Sequence, residues 1–245
     1  MNATWTETKV SRSAAAVSFL VLLGTFLYFS VITPPLGPPE PSAQQIVTWT
    51  HSHEQLLLFQ FVPAYTAVIY AVLIGLLIQL TRGSGLLANL AWLAMGANFA
   101  IALVTFGLYF GLWSYLQRGG SDDGVVALRS IASLFTHGQL IPLGVAISCI
   151  GLLGMRSQVW PIWLSWLCLV VGVEHLLSSI AFAAAPSFST TGHQMTLGGF
   201  VRLADIILEY AWLLAFVLVL AIKPMRGLTH VGPRSESTRS SNPAL

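Results

Sequence analysis

Charge is scarce in this chain: Asp, Glu, Lys and Arg make up 8% of 245 residues. A soluble domain carries about a quarter charged residues, so there are too few here to cover a water-facing surface. The charges nearly balance, at a formal +2 spread along the chain. That leaves no basic footprint, and no nucleic-acid partner is expected. Cysteine is scarcer still. Cys149 and Cys168 both fall inside apolar runs, where they read as small buried residues rather than a disulfide or redox pair. Strict in/out alternation is missing, which excludes an outer-membrane barrel. So is an inverted repeat of the kind that marks many secondary transporters. The loops are too short for a soluble catalytic domain, so an enzyme is not indicated, and any chemistry would fall within a helical bundle or at its mouth. Lysine occurs twice against nine arginines; with plentiful Ala and Gly, that hints at a GC-rich bacterial genome.

Apolar residues supply the rest, at 55% of the chain with a mean hydropathy of +0.76. They fall into runs long enough to cross a bilayer, which takes about 20 residues each. The runs occupy about 14–33, 54–80, 86–115, 125–154, 159–185 and 198–222. The expected fold is therefore all-α: a polytopic transmembrane bundle of about six spans. A cytoplasmic segment, 1–13, precedes it, and a polar, proline-bearing tail, 223–245, reads as disordered. The first run follows Lys9 and Arg12, as a signal peptide would. Its length exceeds a usual signal core and no small-residue cleavage site follows, so it reads as an uncleaved anchor. Pro34 to His53 form a proline-rich connection that cannot be helical throughout, and its prolines and Trp49 suit a partial lid. Pro161 sits in the first turn of the fifth span, where a missing N–H costs little.

Arginine and lysine orient the spans. Lys9, Arg12, Arg82, Arg156, Lys223, Arg226, Arg234 and Arg239 fall on one side, and Arg118, Arg129 and Arg202 on the other. The positive-inside rule then makes both termini cytoplasmic, in a bacterial plasma (inner) membrane. Trp49 and Trp113 fit the outer interface, Trp160 and Trp163 the inner one. Gly107 and Gly111 form a GxxxG in the third span, suited to close packing within the bundle.

Ionisable groups at membrane depth cost about 2.5–3.5 kcal/mol each on insertion scales, so those present stand out. The sixth span carries Arg202, Asp205 and Glu209, whose spacing puts them on one helical face. The fifth carries Glu174 and His175, the fourth His137 with Gln139 beyond it, and the third Asn98. Counted from the outer ends of their spans, His137, His175, Asp205 and Glu209 lie at similar depth, roughly 12–18 Å in. One inward-facing polar cluster in the outer half is the expectation. As helix glue it would pair Arg202 with Asp205 and the histidines with the glutamates. As a working site, two carboxylates one turn apart suit proton or cation handling. Two histidines at one depth suit axial ligation of a haem between the fourth and fifth spans, although no cofactor is the first expectation. At the outer interface, His51, His53 and Glu54 in "HSHE" resemble a metal-binding tract, a pattern more often simply solvated.

Three stretches, "HEQLLLFQFVPAYTAVIYAVLIGLL", "THGQLIPLGVAISCIGLLGMRSQVWPIWLSWLCLVVGVEHLL" and "RLADIILEYAWLLAFVLVLA", carry a resemblance to a broad group of bacterial six-span integral membrane proteins of unknown function. Those have one N-terminal span, a longer extracytoplasmic loop and five closely spaced spans. The resemblance implies a fold and a membrane location, not a mechanism. Three functional expectations follow from the residues: a structural or small-ligand- or partner-binding cluster, a proton- or cation-coupled transporter, or a haem-binding oxidoreductase subunit. The partners expected are the lipid bilayer and a membrane protein or a second copy of the chain.

Overall fold

A computed structural model of the chain describes residues 3–27, 43–58, 61–184 and 197–222. All of its regular structure is helical, with no strand among the described residues. The helices are α1 (Ala3–Leu27), α2 (Ala43–Ser52), α3 (Glu54–Leu58), α4 (Phe61–Leu80), α5 (Leu86–Gln117), α6 (Asp122–Gly138), α7 (Leu140–Ser157), α8 (Ile162–Ala184) and α9 (Leu197–Ile222).

Six of these close a ring: α1 packs on α4, α4 on α5, α5 on α7, α7 on α8, α8 on α9 and α9 on α1. Helices α4 and α7 also touch across the middle. The core is aliphatic and aromatic, with Leu73 and Ile74 of α4, Ile147 and Ile150 of α7, Leu164 of α8 and Phe216 of α9 fully buried. The outside is apolar too. Leu93 is 71% exposed and Ile180 62%, as suits a lipid-facing surface rather than a wet one. Five stretches are long and apolar enough to cross a membrane: Lys9–Phe26, Leu86–Gln117, Asp122–Ser157, Ile162–Ile180 and Ala204–Ala221. On α4, Ala64–Leu80 is a shorter apolar stretch.

Local chemistry sets the helix ends and corrects several boundaries. Within the run 54–80, α3 and α4 lie on either side of residues 59–60, which are outside the described residues. The run 125–154 breaks at Gln139 into α6 and α7. Pro142 has no N–H to give Gly138, so the helical ladder is interrupted there. Beside the break, Asn98 of α5 donates from Nδ2 to Gln139 O at 2.9 Å, a carbonyl that also accepts from Leu143 N at 3.3 Å, and so ties α5 to this point. Ser121 caps α6, its Oγ accepting from Gly124 N at 3.4 Å, and Asp122 and Asp123 favour that helix terminus. Helix α7 ends on Gln158 in the left-handed conformation, φ 52°, where glycine is the usual residue. Helix α1 begins at Ala3, well before position 14. It enters the bundle through buried Ala14 and Val21, and Ser11 Oγ donates to Leu220 O at 2.9 Å.

Helices α5 and α6–α7 form a hairpin longer than a bilayer needs. The 32 residues of α5 reach about 48 Å at 1.5 Å per residue, against a hydrocarbon core of about 30 Å. Around the α5–α6 turn, Val47, Leu57, Leu112, Leu116 and Val125 make a second, separate core. There α2 lies along α6 and α3 along α5. Arg129 stacks over Trp49, 4.1 Å from its ring centroid, and donates to Thr50 Oγ1 at 3.4 Å. So 43–52 of the proline-rich connection is an ordered helix buttressing the hairpin. Residues 34–42 lie outside the described residues, as does the tail expected at 223–245.

Two packing expectations are reversed. A Cβ added at Gly107 or Gly111 meets nothing within 4 Å, so this GxxxG faces outward instead of packing in the bundle. The close approach is made by α7 and α8, where a Cβ at Gly144 would lie 2.5 Å from Gly172 O and one at Gly172 2.7 Å from Gly144 O. Trp160 is not an interface anchor either. It is 4% exposed, donates to Ser165 Oγ at 2.9 Å and meets Phe216 edge-on at 5.4 Å. Trp163, in contrast, is exposed.

Candidate functional site

Glu174 and His175 of α8 and Asp205 and Glu209 of α9 come together beside a tyrosine of α4. His175 of α8 is wholly buried, and Asp205 and Glu209 of α9 are each 8% exposed. Counted along their helices from the α5–α6 end, Tyr70, His175, Asp205 and Glu209 lie eight to twelve residues in, roughly 12–18 Å at 1.5 Å per residue. Asp205 and Glu209 are one turn apart, so a single face of α9 presents both.

The contacts among them are short. His175 Nδ1 lies 2.7 Å from Asp205 Oδ1 and 3.2 Å from Glu174 Oε2. Asp205 Oδ1 is shielded from solvent and takes part in no aligned hydrogen bond, so its approach to the ring is a charge contact, not a directed one. His175 Nε2, also buried, has no hydrogen-bond partner. Glu174 and His175 are neighbours on a helix and would ordinarily diverge. Ser178, one turn on, donates to Glu174 Oε1 and leaves Oε2 turned toward the imidazole. Glu209 accepts a hydrogen bond from the Tyr70 hydroxyl and is close enough to interact electrostatically with both His175 and Asp205.

Below this group, away from the α5–α6 end, an aromatic ladder fills the bundle. Tyr70 stacks parallel to Trp212 with centroids 6.4 Å apart. Trp212 meets Phe216 edge-on at 5.5 Å, and Phe216 meets Trp160. All four are buried. The Trp212 indole donates to Cys168 Sγ at 3.2 Å, so that thiol is held inside the ladder. Both cysteines are free and buried, as their apolar settings imply.

Not every polar residue singled out at membrane depth joins this group. Glu174, His175 and Asp205 are the set whose ligating atoms converge, within 4.8 Å of one another, among the described residues. His137 is placed elsewhere: its Nδ1 bonds Ser133 O at 2.7 Å on its own helix, and its carbonyl accepts from Ser179 Oγ at 3.2 Å. Ser179 is one turn beyond His175, so His137 meets α8 about 6 Å further toward the α5–α6 end. Asn98 is engaged with Gln139 O, and Gln139 Nε2 donates to Thr105 Oγ1 at 3.1 Å. That is a second polar contact, tying α5 to the α6–α7 break. The Arg202 side chain lies outside the described residues. The haem arrangement does not fit: α6 touches α8 directly at Ser179, and at Gly144 the α7 backbone comes within a Cβ's width of the His175 Cβ. Among the described residues, no slot for a macrocycle remains between the two histidines.

The "HSHE" tract does not gather either. His53 stacks on Trp49 at 4.6 Å and its Nδ1 contacts Trp49 O at 2.9 Å. Glu54 Oε2 accepts from Gln117 Nε2 at 3.2 Å, and His51 is exposed. Tyr70 and Ser178 are the participants that sequence reasoning missed. A tyrosine inside an apolar span needs a partner for its hydroxyl, and Ser178 stands four residues from Glu174; both signals were present.

No protein-family model, no curated protein and no solved structure matches the chain. What fold and site define together is a class: a helical bundle of membrane-spanning character with a buried acid–histidine group between α4, α8 and α9.

Proposed function

We propose that this chain is a six-span protein of a bacterial plasma membrane, with both termini cytoplasmic, and that its acid–histidine group is a binding site for a small cation. In this reading the sixth span is α4, whose 20 residues make about 30 Å of helix, enough for the hydrocarbon core. The α5–α6 end, with α2 and α3 against it, projects on the extracytoplasmic side, and the site lies in the outer half of the bundle. The likeness to six-span bacterial membrane proteins agrees with this arrangement.

One observation carries the binding reading: three carboxylates, Glu174, Asp205 and Glu209, surround a single imidazole. Helix glue is served best by matched partners, since unpaired buried charge is costly. Here three carboxylates share one imidazole, and Asp205 Oδ1 meets it at 2.7 Å by a charge contact without an aligned hydrogen bond. A bound cation balances that excess. The aromatic ladder closes the site on the cytoplasmic side, so entry is from outside, as a transporter's outward-facing site or an accessory subunit's ligand pocket requires.

The test is the melting temperature of the purified chain, at constant ionic strength and pH, against sodium, potassium, ammonium, small amines and divalent ions. At least one should raise it in a saturable way, because a ligand that binds only the folded state stabilises by mass action. The same ion should leave Asp205→Asn unmoved. A flat response to every cation would leave the group as helix glue alone.

A further inference from the structure

We infer that Glu174, His175 and Asp205 form a binding site for a divalent first-row transition-metal ion such as zinc or manganese. The inference rests on the cation-site reading and names its ligand class. Its geometry is that of a ligand set. One nitrogen and two carboxylates present their ligating atoms within 4.8 Å of one another, with separations of 2.7 and 3.2 Å from the imidazole Nδ1. Two ligands about 2.0–2.2 Å from a tetrahedral ion stand a little over 3 Å apart, so small side-chain adjustments admit the ion. The Asp205 Oδ1 contact fits this: a shielded oxygen, in a residue 8% exposed, lies 2.7 Å from the ring nitrogen as a charge contact with no aligned hydrogen bond. A metal between the two atoms gives both a partner.

The donor types choose the metal class. Imidazole is a poor ligand for sodium, magnesium or calcium, which prefer all-oxygen shells, and a good one for zinc and iron, while the two carboxylates also suit manganese. No thiolate joins the set, since Cys168 is engaged by Trp212. A divalent ion offsets the charge of its two carboxylate ligands beside a neutral imidazole, which lowers the cost of charge at membrane depth. Three protein ligands leave one position open, the arrangement of exchangeable rather than closed structural sites. The Ser178 hydroxyl acts from behind by fixing Glu174 Oε1, so it is a positioning residue. Glu209, held by Tyr70, faces the site as an uncoordinated charge that draws a cation in.

The test uses full-length protein purified without a polyhistidine tag, stripped with chelator and titrated with zinc alone against a chromophoric competitor. One zinc per chain is expected. Glu174→Gln and Asp205→Asn should each weaken binding by roughly 100-fold, and Ser178→Ala by roughly tenfold, the scale of outer-shell losses. The double variant His51→Gln/His53→Gln should bind as wild type does. Cobalt added to stripped wild type should show the visible bands of a low-coordinate nitrogen–oxygen site, a readout that survives even if a variant fails to fold. Zinc affinity unchanged in Asp205→Asn, zinc lost with His51 and His53, or a blank cobalt spectrum each overturns the assignment. If zinc and manganese leave the melting temperature alone while another cation raises it in wild type only, the metal fails and the cation site stands. If no cation acts, both fall.

Discussion

The Tyr70–Glu209 bond shows how single residues settle the interior of this bundle. A phenol and a carboxylate from α4 and α9 meet where neither has water to turn to. Tyr70→Phe removes the donor and leaves the carboxylate short of a partner, at a cost of roughly 1–3 kcal/mol. Glu209→Gln keeps an acceptor for the same hydroxyl and removes one negative charge, so it should change stability by no more than about 1 kcal/mol. Thermal unfolding of both variants in one detergent checks the order; a Glu209→Gln loss as large as that of Tyr70→Phe would contradict it. Much of this site was legible in the sequence because charge inside an apolar run is expensive, which singled out Glu174, His175, Asp205 and Glu209. His137 was drawn into the same cluster because its depth was counted from position 125 as the outer end of a span, and Asn98 because a polar residue inside an apolar run was expected to face that cluster. Position 125 is not that outer end, since α6 starts at Asp122 in the long hairpin; His137 therefore meets α8 one turn beyond His175, and Asn98 bonds Gln139 O at the α6–α7 break.

At the scale of elements, the α7–α8 pair and α5 use glycine in opposite ways. Gly172 of α8 lies against the backbone of Gly144 and the side chain of Ser148, so Gly172→Ala must push α7 and α8 apart. A loss of roughly 1–3 kcal/mol, typical of overpacking, is expected. Gly107→Ala meets nothing and should be neutral or slightly stabilising, since alanine is the better helix former by about 1 kcal/mol. Melting curves of the two variants should diverge in that direction; equal losses would mean that α5 packs more tightly than described. The sequence pointed to the wrong pair because GxxxG marks small residues without saying which way they face. A gain is expected at the end of α7: Gln158 holds a left-handed conformation that costs an ordinary residue roughly 1–2 kcal/mol. Gln158→Gly should recover some of that, seen as a higher melting temperature, whereas a lower one would show that the Gln158 side chain holds the turn.

For the whole molecule, composition made an all-helical, membrane-type bundle evident, and lysine and arginine placement gave its proposed orientation. The projecting α5–α6 hairpin was not legible, because α6 is amphipathic and its apolar face read as a piece of a span. Reporter fusions after Glu40, Gly120 and Thr191 should report the extracytoplasmic side, and those after Gly83 and Ser157 the cytoplasmic side. An inverted result at two of these joints would overturn the topology. The proposed cation site between α4, α8 and α9 carries an excess of carboxylates, and one measurement separates it from helix glue: the melting temperature of Asp205→Asn against wild type in chelated, low-salt buffer. With the cation gone, wild type carries the uncompensated charge, while the variant has one carboxylate fewer and keeps Glu174 beside His175. The variant should then melt at or above the wild-type temperature. A fall of several degrees, the mark of a broken structural pair, would contradict the cation site.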